Sequence, residues 1–243
     1  VGLTAVIGSA LFAFKTTPRR VEDEHILKEN EPSRPWIEVI RPQVMAYESA
    51  AAGKSRVLET GDEVEPGEIV KTDIAGLATI QFPDGSVLRL DSATRVILTQ
   101  VEFDPGSERL IAKIFLASGR VWSKILILVT PDSLWEVRTS NAVGTVRGTA
   151  FGMAMLEEKT SVIGSEHTVR VRVVDPLTHE TLPTETVVTA DTFVDINEKD
   201  IPDIKEGKTV FAAKKVTNEI LADPWIKDAK EKDRQYNQRI EKL

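Results

Sequence analysis

The sequence contains no cysteine. Disulfides, thiolate metal sites and a cysteine nucleophile are therefore excluded. The compartment stays open, because a chain without thiols tolerates an oxidising one equally well. Histidine is scarce: His25, His167 and His179 are the only three, and no two share the spacing of a helical or hairpin metal site. Aromatic residues make up 6%, so a core has to be assembled mainly from Val, Ile, Leu and Ala. A surplus of positive charge is missing too. The net charge is −7, from 31 basic and 38 acidic residues. That argues against general nucleic-acid binding, which needs a basic surface to neutralise phosphates.

A complete membrane span, about 20 apolar residues, is also lacking. Val1 to Phe14 is an uncharged apolar run that stops short of it. The sequence opens on Val1 rather than Met, and residues 1–15 are read as the back end of a transmembrane helix or signal anchor. Two alternatives stand beside this. One is a signal-peptide core with Gly8, Ser9 and Ala10 near a cleavage site; the other is a buried soluble helix. Residues 16–35 form a charged linker. Pro18, Pro32 and Pro35 interrupt dense charge there, and such a composition cannot build a core.

What the chain does have is alternation. In the stretch Gly67 to Asp91, Ala78, Ile80 and Phe82 share one parity, and Thr79 and Gln81 the other. That is a strand with one buried face. Pro83-Asp84-Gly85-Ser86 supplies a turn, and Leu88 and Leu90 resume the pattern around Arg89. The same period recurs in Leu110, Ala112, Ile114 and Leu116, in Trp135, Val137 and Thr139, and in Val169, Val171 and Val173. Ser118-Gly119-Arg120 reads as a turn into Val121–Val129, and Val187–Ile196 closes the β part. Many short strands with regular turn signals predict a mainly β fold. Val70–Ala75 is echoed by Val137–Ala142, which adds a β-solenoid to the alternatives of sandwich and barrel.

Four motifs, GEIVKT from Gly67, IQFPDGSVLRLD from Ile80, SGRVW from Ser118 and WEVRTSNAVGTVRGTAFGM from Trp135, resemble in their order the domain of the FecR family. The likeness runs from about Trp36 to Ile196. It implies a bacterial membrane-anchored regulator with an extracytoplasmic, β-rich, solenoid-like domain. Its motif residues are Asp84, Gly85, Ser86, Gly119, Trp122, Thr139, Arg147, Gly148, Thr149 and Phe151, expected to be structural. Arg147 is expected in a buried or interface ion pair. Lys15, Arg19 and Arg20 follow the apolar run, and the positive-inside rule would put that side in the cytoplasm. The resemblance implies the opposite orientation and is followed here.

The tail differs. Asp223-Pro224 is a helix cap followed by Pro at the first helical position. Trp225, Ala229, Tyr236, Ile240 and Leu243 form a thin apolar stripe, interrupted by Lys232. Packing of this helix on its own domain, or a solvated tail, is the first reading, and a partner or dimer helix the second. The expected architecture is thus a β domain over residues 36–200, solenoid-like or sandwich, between an N-terminal transmembrane helix and a C-terminal extension over 201–243 with an amphipathic helix from about 224.

Chemistry-bearing patterns are weak. Gly53-Lys54-Ser55 ends like a phosphate-binding loop, but Glu48 stands where that loop needs its first Gly. Gly144, Gly148 and Gly152 have helix-contact spacing, yet their β context marks bulges or close backbone approach. Asp195, Asn197, Glu198 and Asp200 lack the positions of a calcium loop. Trp122 and Trp135 could form a sugar platform, but core packing is the default. No catalytic, cofactor or metal residues are assigned, and no enzyme activity is expected.

The expected function is a membrane-anchored extracytoplasmic protein-interaction domain that relays an envelope signal. Its partners would be the lipid bilayer, another envelope protein and, through a segment outside this sequence, a cytoplasmic sigma factor. The alternatives are an envelope structural or glycan-binding protein, and a hydrolase of envelope polymers with paired carboxylates.

Overall fold

The computed structural model describes residues 34–48, 54–126 and 130–240. The anchor and nearly all of the linker lie outside them. Among the described residues no helix is long and apolar enough to cross a membrane.

Two β-sheets face each other. The first, sheet A, runs in the order β1 (Trp36–Arg41), β5 (Leu77–Gln81), β6 (Val87–Leu90), the second half of β8 (Arg109–Lys124), β11 (Ala150–Leu156), β12 (Lys159–Gly164), β15 (Thr192–Asn197) and β16 (Lys214–Lys215). Sheet B runs β3 (Ser55–Val57), β2 (Val44–Tyr47), β4 (Ile69–Thr72), β7 (Arg95–Asp104), the first half of β8, β9 (Leu134–Arg138), β10 (Ala142–Val146), β13 (Thr168–Val174) and β14 (Thr181–Thr189). The pairings are antiparallel except β8 with β9.

Of the arrangements open at the sequence level, the sandwich is the one observed. A solenoid stacks parallel strands, and among the named pairs only β8–β9 is parallel. The echo of Val70–Ala75 in Val137–Ala142 nevertheless has a local meaning. Both segments end a sheet B strand on a fully buried threonine whose hydroxyl organises the next turn. Thr72 donates to the Asp91 carbonyl at 2.6 Å and accepts from the Thr94 amide, while Thr139 accepts from the Ala142 amide at 3.0 Å.

The parities read from sequence point inward. Ile80, Leu88, Leu90, Leu110, Ile114, Trp135, Val137, Phe151 and Val171 are all buried in one core, and burial of each large side chain contributes roughly 1.5–3 kcal/mol. Phe82 and Trp135 meet edge-on with ring centroids 4.6 Å apart. Ile201 and Ile204 of the short helix α1 (Ile201–Lys205) join the same core.

Ser118-Gly119-Arg120 is not a turn between strands, contrary to expectation. It is a bend inside β8, which continues unbroken from Arg109 to Lys124. Gly119 has φ +92°, and a Cβ there would lie 2.5 Å from Thr94 Cα. Thr94, itself buried, accepts from the Arg120 amide at 3.0 Å. The bend carries β8 from sheet B into sheet A and folds its two halves over one another. Ser123 in the second half accepts from Trp135 Nε1 at 3.3 Å, across the sandwich. The chain then needs only a short crossing to start β9 beside Ile111, which makes that pair parallel. Val187–Ile196, read as one closing segment, is the end of β14, a turn and β15.

Replacing Gly119 by Ala places a Cβ on Thr94 and a side chain at a φ that L-residues avoid. The expected outcome is a loss of about 1–3 kcal/mol or more in urea unfolding. An unchanged midpoint would show that the bend does not depend on glycine.

Candidate interaction site

Sheet A exposes its second face to the C-terminal helix α3 (Pro224–Ile240), reached through the short helix α2 (Asn218–Ala222). Trp122 points outward from the sheet, yet it is fully buried because α3 lies over it. Ile163, Ile226 and Ala229 complete a second, smaller core, with Trp225 packed edge-on to Trp122 at a centroid distance of 5.5 Å. Gly152 makes this approach possible. A Cβ there would stand 2.8 Å from both Trp122 and Trp225, so its place in the glycine series reflects close packing within a strand.

Polar contacts then fix the helix. Asp223 caps it, accepting from the Trp225 amide at 2.8 Å, and takes a second bond from Arg120 at 3.0 Å. Arg120 also lies over the Trp225 ring, 5.0 Å from its centroid. At mid-helix, Asp233 is only 3% exposed. Its carboxylate accepts from Arg89 at 2.5 Å and from Trp122 Nε1 at 2.8 Å. Further along, Tyr236 donates to the Gly85 carbonyl at 2.6 Å, and Asn237 bonds Glu166, which pairs with the buried Lys124.

The predicted cap at Asp223-Pro224 and the self-packing of the helix are observed. The predicted apolar stripe is only partly right. Trp225, Ala229 and Tyr236 do face the sheet, but Ile226 and Asp233 are more deeply buried than either aromatic. Leu243 lies outside the described residues. Asp233 escaped the sequence reading because an acid on a helix face normally marks the wet side. Its signal is its partner, Arg89, which sits 144 positions away.

The family-motif residues fall into two groups. Asp84, Gly85, Ser86 and Trp122 gather at the helix interface. Asp84 accepts from both the amide and the hydroxyl of Ser86, and Ser86 Oγ in turn receives the Leu126 amide. Gly119, Thr139, Gly148, Thr149 and Phe151 belong to the scaffold. Gly148 occupies a positive φ of +121° in the β10–β11 turn, Thr149 donates to the Glu166 carbonyl, and Phe151 fills the main core. Arg147 corrects the buried alternative of its expectation. It is exposed and donates to the Pro131 carbonyl at 3.0 Å, so it forms no buried ion pair.

Beside α3, on the β1–β5 side, a recess of about 470 Å³ is lined by Thr79, Arg89, Asp91, Arg120, Trp122 and Lys232 among others. Two of its three arginines are engaged: Arg120 with Asp91 and Asp223, Arg89 with Asp233. Among the described residues no cluster of His, Asp or Glu is arranged to hold a metal ion. The recess presents hydrogen-bonding groups beside apolar surface.

The architecture is that of a two-layer β module clasped by its own C-terminal helix. Residues 68–175 match the family model described as FecR protein. Two crystal structures of a "putative anti-sigma factor" from Parabacteroides distasonis align with 14% identity and a TM-score of 0.45, over 61% of this chain and 59% of theirs. The chain therefore spans less than two thirds of the length of those proteins. No curated protein matches.

Burial pushes the Asp233 carboxyl above the ordinary carboxylate range, with Arg89 partly offsetting it. Burial does the same to Asp84 against the bonds from Ser86, and raises the Tyr236 phenol, helped by the Asp84 charge. A carboxyl with a raised folded pKa keeps protons that the unfolded chain has released. Its contribution to stability is complete below the unfolded pKa of about 3.9 and is lost as pH rises through the raised value. Melting temperature is therefore expected to rise as pH falls from neutral towards the ordinary carboxylate range, and Asp233→Asn is expected to flatten part of that rise. Parallel profiles for the two proteins would remove Asp233 from the account.

Asp233→Ala leaves Arg89 and Trp122 Nε1 buried without their acceptor. It is expected to cost about 3–5 kcal/mol, with a red shift of tryptophan emission as Trp122 and Trp225 become wet. Unchanged emission and stability would mean that the helix is held by its apolar contacts alone.

Proposed function

We propose that this protein is a non-enzymatic regulator of the anti-sigma type. Its FecR domain, displayed outside the cytoplasmic membrane, binds another envelope protein, and the binding is relayed through the N-terminal segment. The observation that carries this reading is the match to the FecR family model, whose span includes the motif residues Gly85 and Trp122 that, with Arg89, form one closed unit with the C-terminal helix.

Two features of the site support it. Each carboxylate that the site buries is engaged: Asp84 by Ser86, Asp233 by Arg89 and Trp122. A hydrolase would need an acid and a base open to substrate in one cleft. Trp122 and Trp135 are fully buried, which leaves neither ring free to stack on a sugar and weighs against the glycan-binding alternative.

The test is crosslinking of the full-length protein in intact membranes, followed by identification of what it captures. Recovery of a sigma factor or an outer-membrane receptor is the expected result. Recovery of wall polymer alone would overturn the regulatory reading in favour of a structural role.

A further inference from the structure

The outer face of sheet B is built like the outer face of sheet A, but none of the described helices lies on it. Tyr47, Ile69, Ile97 and Phe115 are successive partners across β2, β4, β7 and β8, on the opposite parity to the buried core residues Ala46, Val70, Val96 and Leu116. The same row continues through Arg138 and Val143 to Arg172 on β9, β10 and β13. The aromatic and aliphatic side chains of its first four positions are only half-buried. The described helices lie elsewhere: α2 and α3 contribute to the core over sheet A, and α1 to the main core.

Charge on this face runs against the rest of the chain. Lys71, Arg95, Lys113, Arg138, Arg170 and Arg172 point outward on these strands, against Glu102, Glu136 and Glu185. A protein with net charge −7 thus presents a locally cationic sheet. Beside β9 and β10 the face deepens into a recess of about 650 Å³, lined by Leu134, Thr145, Arg147 and Arg170 among others. Arg147, for which the described residues supply no ion pair, lines this recess.

We propose that this face is the docking surface for an acidic amphipathic helix of a partner protein. The proposal rests on the reading that the chain works by binding a protein, and it names where and what. Length favours a helix. Seven strands about 4.8 Å apart give a row of roughly 29 Å, the length of an α-helix of about 20 residues. The chemistry favours an acidic one with an apolar stripe. On sheet A the bound helix places apolar residues on Trp122 and Ile163 and sets Asp233 on the outward Arg89. Sheet B offers the same pairing of apolar patch and outward cation, and complementary charge both speeds association and selects the partner.

The probe is a labelled synthetic helix of about 20 residues, with Leu on one stripe and Glu on the remainder, compared with the same helix carrying Lys in place of Glu. Binding to the full chain is read by fluorescence anisotropy at about 0.15 M salt. The Glu helix is expected to bind at least about tenfold more tightly than the Lys helix. Arg138→Glu with Arg172→Glu is expected to abolish that preference without changing the circular dichroism spectrum, whereas Lys199→Glu, away from the face, is expected to preserve it. Equal binding of both helices, or a preference that survives the double substitution, would overturn the proposal. So would loss of binding to phosphatidylglycerol vesicles or to an oligonucleotide in the double variant while the Glu helix binds neither form. If membrane crosslinking recovers a regulator while the Glu helix fails here, the regulatory reading stands and this surface assignment falls.

Discussion

One strand serves both layers of this sandwich, and it can do so only because it bends at Gly119. A sheet strand keeps its direction unless an extra residue or a positive φ breaks the pleat. Gly119 supplies the positive φ, and Thr94 holds the bend by bonding the backbone on both sides of the Arg120 peptide unit. From this follow the stacking of Ser123 on Trp135, the short crossing to β9 and the parallel pair that such a crossing produces. The bend also turns the second half of β8 so that Trp122 and Lys124 face away from the main core. Those two side chains, with Arg89 and Gly152 from the neighbouring strands, are the floor on which the C-terminal helix rests.

That helix is held by a balance unlike that of the main core. Its apolar contribution is small: Ile226, Ala229 and the edge of Trp225. Its polar contribution is a buried carboxylate with two donors. Burying an ion costs several kcal/mol, which good geometry recovers only when the lone pairs are satisfied. Asp233 has one oxygen on Arg89 and the other on Trp122, yet burial still outweighs these bonds and raises its pKa. Such an arrangement is selective more than strong. A helix shifted by one turn would leave both Arg89 and the indole N–H without an acceptor, so the pair sets register where apolar contacts would tolerate slippage.

Period-two burial was legible in much of the β part, because a strand with one face on the core repeats the same in–out rule and needs no knowledge of its neighbour; β10 and β11, buried on both faces, do not show it. Trp135, Val137 and the valines of β13 illustrate it. The solenoid echo was real as a local device, a buried threonine at a strand end, but strand pairing is a long-range property that short similarities do not encode. Gly119 was misread as a turn because glycine gives the same signal whether a strand ends or merely bends. Asp233 and Arg89 were invisible for a related reason. Each alone is a surface residue on its own element, and only the fold makes them a pair. The cap at Asp223-Pro224 was readable since its partners are within two positions.

The two faces of the sandwich differ in how that problem of pairing is solved. On sheet A the outward Arg89, Arg120 and Lys124 each meet an acid supplied by this chain: Asp233, Asp91 with Asp223, and Glu166. On sheet B, Arg170 meets Glu185 at 3.0 Å while Arg138 is satisfied by the His179 carbonyl and the Thr181 hydroxyl. A guanidinium that rests on neutral oxygens keeps its charge available to an approaching acid, whereas one closed in a salt bridge does not. The distribution of acids, more than that of apolar side chains, therefore separates a face that has been completed from one that can still take a partner.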